Sequence, residues 1–117
     1  MYIYKIDLRN YTPKDVYDGD TCYLWVDLGF HTTMRIKFRL LYINTPEMRG
    51  EEKPQGIISR DYVRNKLSQA KANNQTVTIR TKKDSKGKYG RYLCEIFIDN
   101  ISLNFELIKE GLAKEYI

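Results

Sequence analysis

Three short stretches hold the side chains that could do chemistry. The first, Asp18-Gly19-Asp20-Thr21, sets two carboxylates around a glycine just ahead of an alternating apolar run. Asp-Gly forms turns readily, and a turn alone would account for it. The second is Phe38-Arg39-Leu40-Leu41-Tyr42-Ile43-Asn44-Thr45-Pro46-Glu47. Arg39 lies in the most hydrophobic part of the chain, where an unpaired guanidinium is very costly, so it must meet a carboxylate or an anionic ligand. Asn44, Thr45 and Glu47 place an amide, a carbonyl and a carboxylate at the end of that run, and Pro46 biases Thr45 toward extended backbone. The plainer alternative is a strand end closed by an Arg39–Glu47 ion pair. The third stretch, Lys88-Tyr89-Gly90-Arg91-Tyr92, offers donors suited to phosphate oxygens, or simply exposed hairpin cations.

Rare residues exclude much else. His31 is the only histidine, so any Ser-His-Asp or Cys-His machinery would have to run through it. Cys22, His31 and Cys94 match no zinc-ligand spacing. Both cysteines fall at apolar-phase positions and read as small core hydrophobes rather than a disulfide. If the chain is an enzyme, it works with carboxylates, arginines and an oxygen-liking metal.

Twenty Lys and Arg oppose fifteen Asp and Glu, a net +5 that invites a polyanionic partner. Residues 82–91 hold five basic residues and one acid, and Arg35, Lys37 and Arg39 form a second basic row. A charge run in a loop is usually solvated surface, so neither decides function alone. No apolar stretch is long enough to cross a bilayer, and charges among residues 1–10 exclude a signal-peptide core there. The expectation is one domain over residues 1–117, with no membrane partner, monomeric, and cytoplasmic as given or secreted if a leader was removed.

The elements that must position these residues follow from periodicity. Tyr2, Tyr4, Ile6 and Leu8 alternate with charged residues, and residues 21–28 and 33–43 alternate again around a turn at Gly29. Residues 76–81 and 92–98 predict two more strands, and Asp99-Asn100 a tight hairpin into Ile101. Residues 55–73 read as a helix with Ile58, Tyr62 or Val63, Leu67 and Ala70 inward. Ser102 caps a short helix that buries Leu103, Leu107 and Ile108 and stops at Gly111. Residues 49–54 are the one linker-like stretch. Five or six strands with one long and one short helix predict a mainly β, α+β chain built as a small closed barrel with the helices packed on it, an OB-type barrel being the leading candidate.

With these motifs in place, the chain resembles the staphylococcal nuclease-like (thermonuclease) family. Asp18-Gly19-Asp20-Thr21, Phe38-Arg39-Leu40-Leu41 through Thr45-Pro46-Glu47, Lys88-Tyr89-Gly90-Arg91 and Glu110-Gly111-Leu112-Ala113 occur in the family's order. The resemblance implies an OB-type five-stranded barrel with one long and one short helix packed on it, and calcium-dependent endonuclease cleavage of phosphodiester bonds in DNA and/or RNA. It implies that Asp20, the residue at position 44 and the Thr45 carbonyl hold the metal, and that Glu47 activates or orients the attacking water. Arg39 and Arg91 would grip the scissile phosphate, and Lys88 and Tyr89 a neighbouring one. Three features depart from the family pattern. Asn44 stands where its founding member has an aspartate, the hairpin between Thr21 and Arg39 is longer, and only Tyr116 is a candidate for the nucleotide-pocket tyrosines, displaced in register.

Such chemistry suits the residue types. Hard cations take oxygen ligands, a glutamate can accept a proton from water, and two permanently charged guanidiniums can face a phosphate as charge builds on it. The rival expectation is a non-catalytic nucleic-acid-binding OB-type module, for which ten tyrosines, one tryptophan and a basic loop would serve a stacking groove. Glu47 beside two arginines favours the enzyme; Asn44 favours the binder.

Overall fold

Cys22, Leu24 and Val26 point to one side of β3 (Thr21–Asp27) and are almost wholly buried, as are Phe38 and Leu40 on β4 (Thr33–Leu40). This period-2 burial continues on β6 (Val77–Lys83) through Val77 and Ile79, and on β7 (Tyr92–Ile98) through Cys94, Ile96 and Ile98. The structure, a computed structural model, describes residues 2–83 and 92–116. β1 (Tyr2–Ile6) pairs antiparallel with both β6 and β3, so the order β1-β6-β7-β4-β3 closes on itself as a five-stranded barrel. β4 and β7 are its one parallel pair. Closure removes free sheet edges, and the inward side chains fill the interior. The OB-type α+β architecture expected from the strand order is the one observed.

A short β2 (Val16–Asp18) extends β3 and carries the chain into the Asp18-Gly19-Asp20 turn. The turn from Asp99 (φ 49°) to Asn100 (φ 68°) leads into β8 (Ile101–Ser102), as the sequence predicts. Cys22 and Cys94 are buried and free, and burial pushes the Cys22 thiol up to about 12, so both act as core hydrophobes.

The long helix α1 (Lys53–Ala72) begins two residues before the expected start, with Pro54 in its first turn, where a missing N–H costs nothing. A 3-10 turn over Gly50–Glu52 leads into it, so the stretch read as a linker is folded. Its buried stripe is Gly56, Ser59, Val63, Leu67 and Ala70. Ile58 is half exposed, because the close helix approach at Gly56 and Ser59 turns position 58 outward. The Arg64 guanidinium donates to the Val16 carbonyl (2.8 and 3.1 Å), and the Tyr11 hydroxyl to the Arg64 carbonyl (3.2 Å), fastening α1 to the segment between β1 and β3.

One expected strand is broken in two. Residues 33–43 alternate as a single run, yet β4 ends at Leu40 and β5 (Ile43–Asn44) leaves in another direction. Between them Tyr42 adopts φ 70°, and Leu41 N–H bonds the Cys94 carbonyl (2.8 Å). β5 then pairs with β9 (Lys114–Glu115) in a separate ribbon. The turn is held by Asn104, fully buried on α2 (Leu103–Lys109). Its amide donates to the Leu41 carbonyl (2.8 Å) and the Cys94 carbonyl (3.2 Å), and its oxygen accepts from Ile96 N–H (3.0 Å).

Replacing Asn104 by leucine keeps the volume but strands the Ile96 amide and the Leu41 carbonyl in the core. At roughly 1–3 kcal/mol per orphaned group, Asn104→Leu should cost about 2–5 kcal/mol in a urea unfolding titration. A loss below about 0.5 kcal/mol would mean that Asn104 does not hold the break.

Candidate functional site

The kink after Leu40 brings the first two motifs together. Asp20, at the start of β3, is buried with its carboxylate at the junction of β3, β4 and β5. Its Oδ2 accepts the Thr45 N–H (3.2 Å) and lies 3.7 Å from the Arg39 guanidinium; its Oδ1 accepts the Thr21 hydroxyl (3.3 Å). Arg39 also donates to the Leu40 and Ile43 carbonyls (3.4 and 3.3 Å). The carboxylate that Arg39 required is therefore Asp20, and the Arg39–Glu47 strand-end pair is not the one formed. A one-sided view of the local run hid this, because Asp20 is nineteen positions away and meets Arg39 only through the strand register Thr21↔Arg39.

The β5–β9 ribbon delivers the C-terminal tyrosine to the same place. Tyr116 N–H donates to the Tyr42 carbonyl (2.7 Å), and the Arg39 guanidinium carbon sits 5.2 Å from the Tyr116 ring centre, within cation–π range. Asn44, paired with Lys114, is exposed, while Thr45 beside it is buried. Asn44, Thr45 and Glu47 line one cleft of about 200 Å³ together with Glu52 and residues 111–114. Glu47 itself is exposed, and its backbone N–H is held by Glu52 Oε2 (3.0 Å). The structure thus gathers Asp20, Arg39, Asn44, Thr45, Glu47 and Tyr116 around the barrel mouth. Lys88, Tyr89 and Arg91 lie outside the described residues. His31 sits exposed at the β3–β4 turn, at the far end of the strands.

Two glycines set how closely the pieces approach. A Cβ at Gly19 would meet Thr45 Cγ2 at 2.7 Å and the Ser59 Cβ at 3.0 Å, so this residue is needed for close packing as well as for a turn. A Cβ at Gly56 would strike the Glu47 carbonyl, which rests directly against the first turns of α1. Ser59 next donates its hydroxyl to the Leu112 carbonyl (2.6 Å), tying the Gly111-Leu112-Ala113 segment to the cleft. The roles of Gly56, Ser59 and Glu52 were invisible in the residue pattern because each acts on backbone atoms of another segment.

Asp18 also escaped notice as more than a turn residue. Its Oδ1 accepts the Asp20 N–H (3.1 Å). Burial, then the hydrogen bond and charge of Asp20, push its carboxyl up to about 7. The oxygen donors here are the Asn44 amide, the Thr45 carbonyl and the Glu47 carboxylate of the cleft lining, which also holds Lys114, and the Asp20 carboxylate bonded to the Thr45 N–H. That chemistry fits a hard divalent cation such as calcium, although the described residues contain no cluster of three or more Asp, Glu, His or Cys side chains poised to hold one.

Residues 37–117, more than half of the chain, match the family model of staphylococcal nuclease homologues, and the chain belongs to that family. It is similar to the thermonuclease of Staphylococcus intermedius, 30% identical over 109 residues that cover 91% of this chain and 59% of that protein. It is also similar to an uncharacterized protein of Methanocaldococcus jannaschii, 34% identical over 122 residues, covering 87% of this chain and 56% of that protein. The chain spans somewhat over half the length of both relatives. Its fold is nuclease-like.

The Asp18 shift has a consequence for stability in chelator. The folded state keeps a proton on Asp18 that the unfolded chain releases near the ordinary value of 3.8, so stability falls as pH rises from about 4 and levels off above about 7. Solvent around this half-buried group reduces the effect to about 1–2 kcal/mol. Asp18→Asn should remove that decline, raising the thermal midpoint at pH 8 relative to the parent while leaving it unchanged at pH 4. An identical pH profile in the two proteins would show that Asp18 is not held protonated.

Proposed function

We propose that this chain hydrolyses phosphodiester bonds in DNA and/or RNA as a calcium-dependent endonuclease. The observation that carries the reading is the convergence of Asp20, Arg39 and the Asn44–Glu47 turn at one barrel mouth. Family membership and the similarity to a thermonuclease support it.

In this reading the Asp20 carboxylate, the Asn44 amide oxygen and the Thr45 carbonyl hold the cation. When bound, calcium supplies Lewis-acid stabilisation of charge on the phosphate oxygens. Arg39 contributes a permanent positive charge whose position is set by the Leu40 and Ile43 carbonyls, Asp20 and the Tyr116 ring. Its fixed fork presents donors to a phosphate without reorganising as charge develops. Arg91 would face the same group from the third motif, with Lys88 and Tyr89 on the adjoining phosphate. Glu47, anchored at its backbone and with no carboxylate partner among the described residues, accepts a proton from the attacking water. Tyr116 supplies an aromatic wall for the nucleotide beside the phosphate.

A non-catalytic nucleic-acid-binding module is the second reading, favoured by the neutral Asn44 at a metal-ligand position. Calcium affinity tracks ligand charge, so one carboxylate fewer weakens the site.

The two readings part on Glu47→Gln. Glu47 is exposed, so the variant should fold as the parent does. In calcium, its cleavage of single-stranded DNA should fall by about 10²–10⁴-fold, the usual worth of a general base, and chelator should silence the parent. Parent activity in the variant, or cleavage indifferent to chelator, would contradict the mechanism. A parent that binds but never cuts would establish the module.

A further inference from the structure

The outward face of the β3–β4 hairpin carries side chains that the barrel does not need. Because Cys22, Leu24, Val26 and Phe38 point inward, the alternate residues face out, and the register sets them in cross-strand pairs: Thr21 with Arg39, Tyr23 with Lys37, Trp25 with Arg35. The Arg35 guanidinium carbon lies 3.9 Å from the Tyr23 ring centre, and Lys37 Nζ lies 5.9 Å from it. Asp15 holds Arg35 in that place through a 2.9 Å ion pair to its Nη2. Lys37 is exposed, and no carboxylate among the described residues pairs with it. Arg39, two positions further along the same face, repeats the arrangement of cation on tyrosine with Tyr116.

We infer that this face is a binding track for single-stranded nucleic acid that leads into the cleft at Arg39. Three cations at every second residue of one strand repeat about every 6.8 Å and cover about 14 Å, room for more than one nucleotide beyond the reacting phosphate. Aromatic rings and the guanidinium plane of Arg35 offer flat surfaces on which unpaired bases stack, while the cations follow the backbone. A duplex keeps its base faces stacked internally and cannot use them. The placement of the strand's reacting end rests on the proposed nuclease function; the track itself rests on the hairpin register. Arg35 and Tyr23 are prepositioned by Asp15, so little ordering is required on binding.

Trp25 is the only tryptophan in the chain and reports on this face directly. The test is a fluorescence titration in chelator, where nothing is cut, with an oligothymidylate of about 12 residues, within the span that OB folds engage. The track predicts saturable quenching of Trp25 by the oligomer and none by thymidine monophosphate at equal phosphate. Lys37→Glu should weaken oligomer binding roughly tenfold and flatten its salt dependence. Lys109→Glu, the same charge change on an exposed position of α2, should leave affinity within about twofold, the modest shift expected of net charge alone. Equal weakening by both variants, equal quenching by a duplex, or binding that leaves Trp25 unmoved would overturn the inference. A parent that quenches as described yet cuts nothing in calcium would sink the nuclease reading and leave the track standing. One that cuts while Trp25 stays silent would do the reverse.

Discussion

The Asp20 carboxylate is the constraint on which the rest of the site depends. It is buried at the barrel mouth, where a charge without partners would be very costly. The Thr21 hydroxyl meets part of that cost, and two further partners meet the rest: the Thr45 N–H and the Arg39 guanidinium. Each comes from a different side of the kink after Leu40, so one carboxylate fixes both the outgoing turn and the cation beside it. Arg39 in turn supports Tyr116, and through it the β5–β9 ribbon. Asp18, two residues upstream, feels the same crowded environment as a raised carboxyl.

Holding that constraint takes close backbone approach. Gly19 lets the Asp18–Asp20 turn lie against Thr45 and Ser59, and Gly56 lets α1 lie against the Glu47 carbonyl. Asn104, from below, makes the kink possible by satisfying groups that the interrupted strand would leave open. The barrel supplies rigidity, while the residues placed for chemistry sit on its turns and strand ends. This is the usual division between a scaffold and a site.

The barrel was legible in the sequence because strand alternation is a local signal. Cys22-Leu24-Val26, Phe38-Leu40 and Ile96-Ile98 alternate within single elements, and burial follows that phase. The candidate residues were legible as well, since Asp20, Arg39, Thr45 and Glu47 fall in compact motifs. What the sequence hid is non-local or backbone-mediated. The partner of Arg39 is set by strand register, the break at Tyr42 by a helix residue sixty-odd positions away, and the hold on Glu47 by the hydrogen bond its backbone N–H donates to Glu52. Ile58 misled for a related reason: periodicity marks a face, but Gly56 and Ser59 decide which face can come closest.

The central claim is that Asp20 joins the fixed arginine to the turn proposed to hold the cation. Calcium titration followed through the amide resonance of Thr45 and the carboxylate resonance of Asp20 tests it most directly. The account predicts saturable shifts at both groups, with the Arg39 side chain responding in step, and loss of all three in Asp20→Asn. Calcium binding that leaves Thr45 and Asp20 unmoved while perturbing another part of the chain would contradict it.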